Sequence, residues 1–212
     1  MILKNELSIM DKNFSILLNA NPEQISKLEN LQKNFIDVCN AIAPVVQETR
    51  CWNRVVLHHM VYHKLRAQFP LMGSQMICNA VYSVCRAARV ILQHPKSPFY
   101  LKDGEEVKLP RIVFLPNSPV YFDRHTLNIK DQSLSMFTLD GRIRFDIQLS
   151  KSQYKSFVRD KLKEVLLLKI NQQFYLQFHF EMESKKVRNK ISIPDNLKVI
   201  PSANAQFLQQ AV

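Results

Sequence analysis

The apolar residues of this chain change their spacing once. From Asn21 to about Gln93 they recur every three or four positions, and from Arg111 to Phe180 every second position. The first period fits an α-helix with one buried face. The second fits a strand whose side chains point alternately to the two faces of a sheet. One chain carrying both, in that order, is α+β.

In the first region Asn21, Pro22 and Glu23 form a helix start. Ile25, Leu28, Leu31, Phe35, Val38 and Ile42 follow as one stripe, which Pro44 is expected to interrupt. A second helix is expected from about Trp52 to Phe69, ended by Pro70. A third is expected from its cap Ser74 to about Gln93, with Ile77, Val81, Val84, Ala88 and Ile91 as its packing face. The segment HPKSPFYLKDGEEVKLP reads as a linker.

Beyond the linker, RIVFL, PVYF, TLNIK, LSMFTL, RIRFDIQL, EVLLLKI and FYLQFHFEM read as seven short strands, and FSILLN before the helices as another. Asp140-Gly141 and Asn171-Gln172 are hairpin turns, and a helix near Ser152 to Leu162 interrupts the strands. Short strands with tight turns predict a small antiparallel β-barrel. Residues 184–212 have weak periodicity and a basic start, and read as a partly ordered tail.

Lysine and arginine number 29 against 18 aspartates and glutamates, a net charge of +11, which favours a polyanionic partner. The three glycines lie far apart and cannot build a phosphate loop. Cys39, Cys51, Cys78 and Cys85 form no CxxC and read as reduced residues of a cytoplasmic protein. The stretch MILKNELSIMDKNF lacks the apolar core of a secretory signal, and no run is long enough to span a membrane.

Three of six histidines fall in LHHMVYHKLR. His59 and His63 lie one helical turn apart, as two metal ligands would. The residue after His59 is Met60, however, where a water-activating glutamate would stand, and Arg66 on the same face opposes a dication. Helix packing or surface placement is the preferred reading. A small metal-dependent enzyme is the alternative from another class, and a protein-interaction remnant of a transposase is a third. No nucleophile elbow or carboxylate pair is evident, and no cofactor is expected.

The stronger pattern is basic and aromatic. Asn79, Tyr82, Arg86, Arg89 and Gln93 fall on one face of the third helix, opposite much of the apolar stripe. Arg142 and Arg144 fall on the outward side of a strand, with Arg124 and Lys130 before them. With Arg66, these ten residues are the candidate nucleic-acid contacts: guanidinium and ammonium groups for phosphate, Tyr82 or His63 for stacking on a base.

A strand followed by NPEQISKLENLQKNFIDVCNAIA, then VYHKLRAQFPLMGSQMICNAVYSVCRAARV, then VYFDRHTLNIKDQSLSMFTLDGRIRFDI resembles, in that order, the TnpB proteins of insertion sequences. These are the OrfB-type transposases related to type V CRISPR nucleases. The resemblance covers residues 14 to 183. It implies a wedge-like barrel from residues 12–20 and 99–183, with a helical recognition lobe of residues 21–98 inserted after the first strand. Together these would hold guide RNA and target. The family then continues into a RuvC-type nuclease with an aspartate in a GIDxG-like setting. After Phe180 this chain reads EMESKKVRNKISIPDNLKVI, and Asp195 has neither the strand nor the glycines. The expectation is a non-catalytic protein that binds structured or guide-type RNA or DNA, alone or beside a separately encoded nuclease.

Overall fold

The computed structural model describes residues 13–102, 107–130, 132–180 and 193–202. It is α+β, with four helices and three antiparallel sheets. Strand β1 (Phe14–Leu17) precedes α1 (Pro22–Thr49), α2 (Arg54–Gln68) and α3 (Ser74–Ala88). The last runs on into a π-helical turn, Arg89–Gln93. Strands β2 (Arg111–Phe114), β3 (Val120–Phe122), β4 (Leu127–Lys130), β5 (Ser133–Thr138) and β6 (Gly141–Asp146) lead to α4 (Lys151–Arg159). Then come β7 (Leu162–Ile170), β8 (Gln173–Phe180) and β9 (Leu197–Ile200).

Helix α1 opens as its sequence predicts. Asn21 and Gln24 exchange side-chain and backbone hydrogen bonds in a capping box, with Pro22 in the first turn. It does not end at Pro44, contrary to expectation, and continues to Thr49. An internal proline costs about 3 kcal/mol. Burial of Ile42, Ala43 and Val46 on either side of it offsets that cost. A left-handed Arg50 (φ 54°) then terminates the helix.

Polar side chains of α1 clamp the chain that follows the helices. Asn40 donates from Nδ2 to the Phe114 carbonyl (3.0 Å) and accepts from the Phe114 amide (2.8 Å), filling the role of a neighbouring strand. Gln32 and Gln47 donate to the carbonyls of Ser118 and Leu109. Each satisfies a backbone group that burial would otherwise leave unpaired.

One sheet has the order β1-β8-β7-β3, so the first strand pairs with the eighth across the intervening helices. The second is β4-β5-β6 and the third β2-β9. The two hairpins stand where expected. Asn171 and Gln172 both have positive φ (48° and 66°) between β7 and β8, and Gly141 (φ 105°) opens β6 after the turn from β5. Strand β9 lies in the segment read as a tail, where Leu197–Ile200 pairs with Phe114–Arg111. Residues 184–192 and 203–212 of that segment are outside the described residues.

The core is continuous from the helices to the sheets. Phe35, Met76, Ile77 and Ile91 are buried on the helical side, and Leu134, Met136, Leu176 and Phe178 on the sheet side. Gly73, before α3, meets the Phe137 ring so closely that a Cβ there would lie 3.1 Å from it. No helix among the described residues is long and apolar enough to cross a membrane.

Candidate nucleic-acid interface

Register decides which polar residues share a surface. In the β4-β5-β6 sheet Leu127, Ile129, Leu134, Met136, Ile143 and Phe145 point to one face, most of them buried. The other face carries Asn128 and Lys130 from β4, Ser133, Ser135 and Phe137 from β5, and Arg142, Arg144 and Asp146 from β6. Asn128, Ser135 and Arg144 form one cross-strand row, and Lys130, Ser133 and Asp146 the next. Lys130, Arg142 and Arg144 are therefore on one side of one sheet, and all three are exposed. Among the described residues no carboxylate pairs with them, although Asp146 shares the face. Arg142 is held in place by donating to Ser135 Oγ (3.0 Å), the Ser135 carbonyl (2.8 Å) and the His125 carbonyl (3.4 Å).

The helical corner joins this face at the β3–β4 turn. Asp123 Oδ1 accepts from the amides of His125 (3.0 Å) and Thr126 (3.1 Å), which shapes the turn that presents Arg124. Its Oδ2 accepts from Gln75 Nε2 of α3 (2.5 Å). Gly73 against Phe137 makes the second contact. Arg66 sits at this corner, half-buried, with its guanidinium on the Met72 carbonyl.

Two clefts flank the sheet face. One, of about 660 Å³, separates two edge strands. It is bounded by Ser15, Leu17 and Asn19 around β1, Arg144 and Asp146 of β6, and Gln24, whose side chain donates to the Arg144 carbonyl (3.0 Å). The other, of about 420 Å³, lies between α4 and the β3–β4 region. Arg124 and Lys130 line it, and so do Tyr154 and Val158. Helix α4 itself carries Lys151, Lys155 and Arg159.

The residues expected on the face of α3 have a different fate. Asn79 is buried and donates to the Tyr121 carbonyl (3.1 Å). Arg86 Nη1 donates to both oxygens of Glu164 (2.7 and 2.6 Å), and Tyr82 donates its hydroxyl proton to Glu164 Oε2 (3.2 Å). The Tyr82 ring meets Tyr121 edge-on at 5.6 Å, with Arg54 5.4 Å above it. These three side chains thus bond to a sheet, although Arg86 keeps part of its surface in solvent. Helix α3 is covered on more than one side, by α1, α2 and β3. A single apolar stripe could not disclose that. The signal lay in EVLLLKI, where one carboxylate opens an apolar strand and needs a cation once buried. Arg89 and Gln93 are exposed on the π-helical turn. Gly73 to Arg89 is sixteen residues, placing them about 24 Å along the helix axis from the corner at Phe137.

His179 stands directly across from Glu164 in the β7–β8 pair, its Nε2 buried and without a hydrogen-bond partner among the described residues. Burial holds its pKa below the ordinary value, with Arg86 and Lys163 acting in the same direction and Glu164 against it. The folded protein keeps this imidazole neutral where the unfolded chain has begun to protonate. Stability is therefore complete at pH well above about 6.5. It falls as pH drops through that value, by at most about 1.4 kcal/mol per pH unit. Urea unfolding at pH 7.5 and 5.5 checks this, because His179→Gln removes that part of the loss.

In LHHMVYHKLR, His58 packs on Tyr62 (ring centroids 4.7 Å apart), and His59 and His63 are exposed. Among the described residues no group of three His, Cys, Asp or Glu side chains is placed to hold a metal. No family model matches the chain, and no curated protein matches it significantly.

Proposed function

We propose that this protein binds nucleic acid without cutting it, with structured RNA presenting single-stranded segments as the preferred ligand. The observation that carries the reading is the exposed face on which Lys130, Arg142 and Arg144 share one side of one sheet, continuous with Arg124. Side chains at adjacent strand positions stand close enough to follow a sugar-phosphate strand, and Asn128 and Ser135 add neutral donors between them. Arg66 lies at the helical corner of this surface. Asn79, Tyr82 and Arg86 leave the interface and become its support, and Arg89 and Gln93 lie outside it.

The order of parts supports the likeness to TnpB. A first strand pairs back with the eighth, and three helices lie between it and the remaining strands. On this reading the sheets curve into a small wedge-like barrel, and the helices are a recognition lobe inserted after its first strand. The partner is RNA or DNA, in the cytoplasm, with or without a separate nuclease.

Salt titration of binding to a random single-stranded RNA pool tests the proposal. Four phosphate contacts by Arg124, Lys130, Arg142 and Arg144 predict a log–log slope near about −3, from roughly 0.7 per contact. Absence of binding, or binding indifferent to salt, overturns it.

A further inference from the structure

We propose that the groove between α4 and the β3–β4 region is a base-binding slot. It takes one unpaired nucleobase, stacked on Tyr154, while Arg124 and Lys130 at its rim hold the adjoining phosphates. The inference rests on the nucleic-acid reading above and adds to it the part of the ligand that enters the groove.

Helix α4 has no fully buried residue and meets the sheet through an aromatic side chain. Ser150 and Gln153 close a capping box at its start. Phe157 anchors its underside, edge-on to Phe14 (5.7 Å), Phe178 (5.1 Å) and Phe180 (5.4 Å). With Phe157 turned to the sheet, Tyr154 and Val158, one turn apart, are 60% and 71% exposed. An aromatic ring and a branched aliphatic side chain thus line the mouth of a groove of about 420 Å³, floored by Leu127, Leu149 and Val165. That volume lies within the ~300–1,000 Å³ of small-molecule sites.

The charge around the groove selects its occupant. Arg124 and Lys130 stand on one wall, and Lys151, Lys155 and Arg159 belong to the helix that forms the other. Among the described residues the one carboxylate in the lining, Asp123, is occupied by Gln75 and by the amides of its own turn. An apolar slot with an aromatic wall and a cationic rim matches a flat ring tethered to phosphates. A paired base cannot enter, because its faces are already covered within the duplex.

The test compares an oligouridylate of about 12 nucleotides with an abasic oligomer of the same length and charge, on the full chain. The wild-type protein is expected to bind the oligouridylate about tenfold more tightly. Tyr154→Ala should bind both equally, at the wild-type affinity for the abasic strand, and Tyr154→Phe should keep the preference. A preference that survives in Tyr154→Ala overturns the slot. So does equal, salt-dependent binding of both strands by the wild type, which leaves the nucleic-acid reading standing. No binding of either strand overturns both. Tighter Tyr154-dependent binding of a Glu-Phe repeat peptide would assign the groove to a protein partner and overturn the slot as well.

Discussion

Arg86→Leu is expected to lower the unfolding free energy by about 3 kcal/mol, and the double variant Arg86→Leu/Glu164→Leu to restore all but about 1 kcal/mol of it. Glu164 is nearly sealed, its side chain 4% exposed, while that of Arg86 is 41% exposed. The carboxylate has given up its water for one guanidinium nitrogen and the Tyr82 hydroxyl. Removing Arg86 leaves that carboxylate buried with a single neutral donor, and the cost is its desolvation. Removing both charges leaves apolar surface between α3 and the sheet, and the remaining cost is the Tyr82 hydroxyl's lost acceptor. The partial exposure of Arg86 puts the single-variant effect at the lower end of the buried-pair range. Urea unfolding of the two single variants and the double variant checks the cycle. A loss below about 1 kcal/mol in Arg86→Leu would show that the pair does not join the helices to the sheet.

Much of this arrangement was legible beforehand because it depends on local rules. Asn21, Pro22 and Glu23 state a helix start, and Asn171-Gln172 states a hairpin. The alternation in RIRFDI and LSMFTL placed Arg142 and Arg144 outward before any register was known. What escaped depends on contacts distant in sequence. Pro44 survives inside a helix because the surrounding core holds it there. Strand β9 is four residues long, and it is visible only through its partner β2. Asn79, Tyr82 and Arg86 do lie opposite the apolar stripe of α3, as expected. Glu164 on the interior strand β7, about eighty residues away, turns that polar face into an interface. Tyr154, on a helix with no fully buried residue, gave no periodic signal to distinguish it from ordinary surface.

The ten candidate residues fall into an interface, a support and a bystander group. Charge reversal separates the first from the last. Lys130→Glu/Arg144→Glu should weaken binding to single-stranded RNA about 100-fold or more at low salt, with thermal unfolding nearly unchanged because both side chains are exposed. Arg142 is left intact in this variant, since its bonds to Ser135 and His125 hold the sheet to the β3–β4 turn. Arg89→Glu/Lys96→Glu changes the net charge by the same amount at exposed positions beyond the far end of α3. Its expected effect is only about twofold, as distant charges are largely screened at physiological salt.

The deciding measurement is the salt dependence of RNA affinity in the wild-type protein and in these two charge-reversed variants. The account predicts a log–log slope shallower by about 1.4 in Lys130→Glu/Arg144→Glu, from two lost phosphate contacts, and a wild-type slope in Arg89→Glu/Lys96→Glu. Equal losses of slope and affinity in both variants would show that overall charge, and not the β4-β5-β6 face, holds the nucleic acid.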